Sequence, residues 1–350
     1  MEGSGLLITL LGGVALLLWS VRMVRTGMTR AFGASLRMLM AKASANRVKA
    51  FATGIVVTGL LQSATAMALL LASFASRKLV TLPLALAMML GADVGTALVA
   101  QIYAFDIRWT WAVFLFAGVV LFHASEKDEV RGGGRVLIGF GLMLLGLTVI
   151  GQVSTQLRDS PILKLMLASL GTEKIPLLAV LVATLMTWLA HSSLAVVLFV
   201  MSLAGGGVID ARLAVALVLG ANLGGAIVPF AALSASAAAA RRVVLGNLLV
   251  RAACVAVAMP FTGLLADAVS RVSSDPVYLA VNFHLAFNIA LAAIAMPVLG
   301  YVAMLATRLL PEPLSGTDRS APRHLDPSVL DTPSEALACA MRETLVMGDM

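Results

Sequence analysis

The sequence predicts an all-α polytopic membrane protein, an inverted repeat with two re-entrant helical hairpins and broken helices, and three observations predict it. The first is composition: 60% of the 350 residues are hydrophobic, 12% are charged and mean hydropathy is +0.98, outside the range of water-soluble domains. The second is a polar break inside an apolar run, Gln62-Ser63-Ala64-Thr65, which returns 129 positions later as His191-Ser192-Ser193-Leu194. The third is that the same register holds without a gap to either side. Thr58, Ser63 and Ser73 recur as Thr187, Ser192 and Ser202, and Gly91-Ala92-Asp93-Val94-Gly95 recurs as Gly220-Ala221-Asn222-Leu223-Gly224.

In chain order, residues 6–24 form a first span, too long for a secretory signal and followed by more spans. Arg22, Arg25, Arg30, Arg37, Lys42, Arg47 and Lys49 put its far end in the cytoplasm, and residues 32–43 between them suit a short interfacial helix. Residues 51–76 fit either one long crossing or a hairpin turning at 62–65. Arg77 and Lys78 restore cytoplasmic charge and favour the hairpin, whose non-helical tip must then be buried or line a wet cavity. Residues 79–105 cross outward with an interruption at 91–96, 109–123 return to a charged loop, and 136–153 cross outward again. Residues 154–174 stay outside, with a second interfacial helix at 162–170. The second hairpin, 177–204, opens outward; 213–240, 243–268 and 278–307 complete an odd number of crossings.

This divides the chain into a membrane domain at 1–308, a linker at 309–330 and a polar helix at 331–350, with Thr332 capping and Pro333 first in the helix. The repeats run over about 5–124 and 134–268, with 278–307 an extra span. Three crossings separate the hairpins, so the second copy is inverted, the N-terminus lies outside and the tail inside. Cys254 and Cys339 imply no disulfide framework. The net charge of +7 lies at the ends of apolar runs, where it reads as topology rather than as a nucleic-acid surface.

Chemistry follows from the breaks. A half-helix restarting at about Ala64 or Ser193 leaves backbone N–H groups without partners, and two such ends facing each other make a donor-rich pocket for an oxyanion. Ser63, Thr65, Ser192 and Ser193 add hydroxyls, and Gln62 and His191 add an amide and an imidazole. The Gly-Ala-Asp/Asn-x-Gly stretches bring Asp93, Thr96 and Asn222, oxygen ligands that with Ser63 and Ser192 suit a hard cation such as sodium. Plainer readings stand beside these. Membrane serines commonly bond the carbonyl one turn back, and Gly91-xxx-Gly95 and Gly220-xxx-Gly224 are also close-packing signatures. His191 is either a neutral donor or a protonatable group. Asp93 must be used or paired, being costly in a span otherwise. Arg251 reads as snorkelling to the surface rather than as an accessory ligand, and His284 and Asn288, one helical turn apart, are accessory ligands or bonds to a neighbouring helix.

The stretch Leu36-Arg37…Asn46-Arg47…Gly54, the repeated Gln-Ser-Ser-Ser-type breaks, the Gly-Ala-Asn-x-Gly-type repeats and His284-Leu285-Ala286-Phe287-Asn288 together resemble one family. The chain is similar, from residue 6 to about 305, to the bacterial branch of the type II sodium-phosphate cotransporters. That resemblance implies sodium-coupled movement of inorganic phosphate by alternating access, with Gln62, Ser63, Thr65, Ser192 and Ser193 at motif positions. The chain departs from the motifs at Ala64, His191, Leu194, Asp93 and Gly225. In similar proteins the tail position opens a helical domain resembling the PhoU phosphate-signalling protein, of which the chain holds at most one helix. The expected partners are phosphate, sodium and membrane lipid of a bacterial inner membrane, with no cofactor beyond the coupling ion and a homodimer left open. An enzyme is not expected, since Ser192 and Ser193 lack a His/Asp partner at motif spacing and a Gly-x-Ser-x-Gly elbow. The alternatives are a sodium-independent or proton-linked oxyanion pathway through His191 or Asp93, and a phosphate-sensing membrane protein.

Overall fold

In the computed structural model, residues 2–42, 46–105, 107–158, 176–273, 275–312 and 333–348 are described, and every regular element among them is helical. Among the described residues, six stretches are long and apolar enough to cross a membrane: Gly5–Gly33, Leu82–Ala104, Asp128–Leu157, Ala211–Ala232, Ala238–Val272 and Pro276–Leu309. The chain divides into two compact units, Met1–Leu310 and Pro311–Met350. The second contains α13 (Pro333–Gly348), whose Leu337, Met341 and Leu345 are exposed along one face. The described part of the tail helix begins at Pro333, while most of the linker and Thr332 lie outside the described residues.

Helix α1 (Glu2–Lys42) is one unbroken rod, which corrects the expected separate interfacial helix at 32–43. The arginines interrupting its apolar face are good helix formers, and Leu36 and Met40, one turn apart, are buried in protein instead of lying in an interface. The expected interfacial helix at 162–170 lies outside the described residues. α2 (Arg47–Leu61) begins at Asn46, whose side chain accepts from the Val48 N–H at 2.9 Å. α2 and α3 (Ala64–Ser76) are 15 and 13 residues long, about 20 Å each, and neither matches the roughly 30 Å of hydrocarbon that a span must cross.

α4 (Leu82–Ala104) decides where this pair goes. It packs on α2 through glycines that admit no side chain. A Cβ on Gly91 would fall on the Phe51 carbonyl oxygen, and one on Gly95 would lie 2.6 Å from that of Ile55. Residue numbers rise together along both helices, so α2 and α4 run parallel. α3 must then return toward the end where α2 began, making α2–α3 a hairpin rather than one crossing. The second set repeats this. α7 (Leu177–Ala190) and α8 (Ser193–Gly205) precede α9 (Ala211–Ala232), whose Gly220 and Gly224 meet the carbonyls of Val180 and Thr184 in the same parallel register. These contacts overturn the expected interruption at 91–96 and a matching break at the repeated stretch 220–224. Both stretches are continuous helix, because a small-residue face gains more from close backbone packing than from unwinding.

α5 (Trp111–His123) and α6 (Asp128–Leu157) pack antiparallel through Gly118, Gly134 and Gly141. At 13 residues α5 is too short by length to cross, a correction to the span expected at 109–123. α6 also lies antiparallel to α1: Gly13 meets Ile150, Leu17 meets Gly146, Val24 meets Gly139 and Ala31 meets Gly132. Leu17 and Gly146 are themselves 129 positions apart. α10 (Ala238–Ala258) is followed, after a turn at Met259–Phe261 containing Pro260, by α11 (Thr262–Val272); α12 (Pro276–Leu309) closes the unit.

Candidate functional site

Both hairpins break in the same way. Gln62 closes α2 in the left-handed region (φ 51°, ψ 32°) and Ser63 follows in extended conformation (φ −153°, ψ 103°); His191 and Ser192 repeat this at φ 52°, ψ 27° and φ −155°, ψ 107°. Among the described residues, positive φ occurs at Gln62, Lys78, His191 and Gly207, which form two pairs 129 apart. A non-glycine residue in that region costs about 1 kcal/mol or more, so its occurrence at both tips marks sites where strain is held by the surroundings.

Each serine then starts a helix. Ser63 Oγ accepts from the Ala66 N–H at 3.1 Å and Ser192 Oγ from the Ala195 N–H at 3.2 Å, satisfying the third donor of each half-helix. The preceding donors, on Ala64 and Thr65 and on Ser193 and Leu194, have no acceptor inside their helices. All four residues line one cleft, together with Gln62, Ser63, His191, Ser192, Thr96 and Gly225. Thr96 and Gly225 are again 129 apart. The cleft encloses about 30 Å³, room for a water or two, so a larger anion requires it to widen. A cavity of about 610 Å³ beside Trp19, Arg22 and Arg25 reaches the same tips at Thr65, His191 and Ser192. Arg25 lines both spaces.

The tip groups are oriented as donors. Tyr103, wholly buried with its ring 4.9 Å from that of Phe140, donates its hydroxyl to Gln62 Oε1 at 3.1 Å, leaving the Gln62 NH₂ for the cleft. With their lone pairs capping helices, Ser63 and Ser192 keep their hydroxyl protons to donate. Thr96 donates to the Ala92 carbonyl at 2.9 Å and retains its oxygen lone pairs.

The other predicted residues gather one layer behind. Arg251 on α10 is 3% exposed and forms an ion pair with Asp93 of α4, its Nε 3.0 Å from Oδ2, while Nη1 donates to the Asn222 carbonyl at 2.6 Å. The snorkelling reading of Arg251 is therefore overturned; an unpaired carboxylate at that depth draws the guanidinium inward. Asn222 Nδ2 lies 3.1 Å from His284 Nδ1, and Asn288 Nδ2 donates to Asn222 Oδ1 at 3.0 Å. With two amide donors at its Nδ1, His284 accepts there, and His284 and Asn288 are bonds between α12 and α9. Asp93 and Asn222 are thus engaged inside this cluster, whereas Thr96 faces the cleft. The layers meet at Gly225, where a Cβ would lie 3.2 Å from both Arg251 Nη1 and Ser193 Oγ.

A model of the Na+/Pi-cotransporter family matches residues 16–152. The matched segment contains α1 from residue 16, the whole first hairpin, α4 and most of α6. Over 343 residues, 98% of the chain, the sequence is 39% identical to the protein named "Putative inorganic phosphate export protein YjbB" of Escherichia coli strain K12, and to its Salmonella typhimurium namesake. The chain spans 63% of the length of those relatives. It is 25% identical over 270 residues to "Uncharacterized protein YqeW" of Bacillus subtilis, covering 75% of this chain and 85% of that one. No solved structure matches.

Reasoning from sequence missed Arg25 and Tyr103. Arg25 was one of seven positive charges read as topology, and nothing in its spacing separates it from Arg22 or Arg30. Tyr103 carried a usable signal, since a tyrosine in an apolar span must find a partner for its hydroxyl.

Proposed function

We propose that this chain carries inorganic phosphate across a bacterial inner membrane, coupled to sodium, by alternating access between two inverted repeats. The single observation that carries the reading is the meeting of two half-helix N-termini, 129 residues apart and identically capped, in one cleft lined by hydroxyls. Such ends concentrate unpaired N–H groups and positive dipole potential on a bound oxyanion. The inversion is supported by α1 and α6, equivalent under the same offset, which pack antiparallel about Leu17 and Gly146 as a two-fold axis in the membrane plane requires. Phosphate is supported by the family description and by the relatives' name, and sodium by the family description alone. The positive charges from Arg22 to Lys49 support a periplasmic N-terminus and a cytoplasmic tail. A coupled carrier runs whichever way its gradients drive it, so a relative named for export and a symport mechanism are compatible.

A second reading is favoured by the Arg251–Asp93 pair. With the Asp93 carboxylate held by a guanidinium, a sodium ion loses its strongest ligand there, and phosphate would move without sodium. Uptake of labelled phosphate into proteoliposomes, with and without a sodium gradient, separates the two. Flux that collapses without sodium supports coupling, and flux indifferent to it supports the second reading. No phosphate flux under any gradient would remove the carrier reading, and full flux in both Ser63→Ala and Ser192→Ala would remove the proposed pocket.

A further inference from the structure

We propose that Arg25 supplies the fixed positive charge of the oxyanion site, its guanidinium pairing with the bound anion where the large cavity meets the tip cleft. The inference rests on the phosphate-carrier reading and deepens it. Backbone N–H and hydroxyl donors carry no net charge, so a site built from them alone leaves the net charge of a doubly charged anion uncompensated. Arg25 changes that balance. It lines both the cleft between the tips and the 610 Å³ cavity, whereas Arg22, one turn earlier, lines the cavity alone. Among the described residues no carboxylate forms an ion pair with Arg25, and the buried acid Asp93 is already held by Arg251. A half-buried guanidinium within a span is costly unless it finds an anion, and its planar fork matches two oxygens of a phosphate.

The repeat supplies an independent argument. The position 129 residues on is Ser154, wholly buried, with its hydroxyl donating to the Ile150 carbonyl 2.7 Å away within its own helix. The tips are duplicated but the charge is not, as befits one anion shared by two tips. One tethered cation in the site also replaces one that would otherwise arrive from solution, so losing it should raise the dependence of phosphate binding on sodium.

The test compares Arg25→Gln and Arg25→Lys with Arg30→Gln, which removes an exposed charge from the same helix outside both cavities. Labelled phosphate is measured twice on the full chain, as flux in proteoliposomes and as equilibrium binding in detergent. Arg25→Gln should raise the phosphate KM and Kd on the order of tenfold to a hundredfold, with a smaller change in kcat and partial recovery at high sodium. Arg25→Lys should fall between it and the parent, and Arg30→Gln should match the parent. A Kd for Arg25→Gln within about twofold of the parent, or an equal shift in Arg30→Gln, overturns the proposal. If the Gln variant does not fold, Arg25→Met takes its place, and a Kd within about twofold of the parent overturns the proposal. Parent chain that binds phosphate without moving it sinks the carrier reading and leaves the role of Arg25 standing on the binding data; parent chain that binds none sinks both.

Discussion

Gln62 and His191 hold a backbone conformation that side chains rarely adopt, and each is followed by a serine whose oxygen caps the next half-helix. Removing that oxygen should have two separable effects. Ser63→Ala or Ser192→Ala loses a cap, for which about 1 kcal/mol is expected, read as a modest fall in thermal midpoint in detergent. On the carrier reading the same variants also lower phosphate flux by more than that stability loss explains. The Arg251–Asp93 pair behaves differently, because both charges are buried. Asp93→Asn or Arg251→Gln alone strands its partner, and each should cost about 3–5 kcal/mol. The Asp93→Asn/Arg251→Gln double variant should recover much of that. A double variant no more stable than either single one in thermal unfolding would mean the two residues do not act as a pair.

Among the elements, α4 and α9 show what their Gly-Ala-Asp/Asn-x-Gly stretches do. They remain helical and let α2 and α7 approach until backbone meets backbone. Gly91→Leu and Gly220→Leu must each push a side chain into a carbonyl, of Phe51 or Val180, that cannot withdraw without moving its helix. Both should destabilise the hairpin packing by more than about 3 kcal/mol, whereas Gly59→Ala, with open space around it, should be tolerated to within about 1 kcal/mol. Equal thermal midpoints for the three variants would count against helix–helix contact as the role of these glycines. The motif was legible in the sequence, but its purpose was not: glycine spacing reads alike for a broken helix and a packed one until the neighbouring helix is placed.

For the whole molecule the testable quantity is the register of α1 against α6. Gly146 lies against the Leu17 backbone, its built Cβ 3.6 Å from the Leu17 Cα. In a background with Cys254 and Cys339 replaced, Leu17→Cys with Gly146→Cys should cross-link under mild oxidation, and Leu17→Cys with Gly132→Cys should not. The reverse pattern would mean the helices are not arranged about the proposed axis. An odd number of crossings between the hairpins requires 109–123 to be a span, and α5 falls short in length. Antiparallel packing of two equivalent helices supports inversion without any count.

Much of the fold and part of the candidate site could be read along the chain. Hydropathy needs only composition, and a duplication needs only a register, so the apolar helices, the 129-residue offset and the polar tips were all present in one dimension. Contacts across the molecule decided the rest. Whether α2–α3 turns back, whether Gly91 breaks or packs its helix, and which of many arginines faces a cleft depend on which helix lies alongside, and sequence spacing does not carry that information. Arg251 shows this most plainly: alone it belongs at the membrane surface, and only the carboxylate of a helix 158 residues away makes burial its better state.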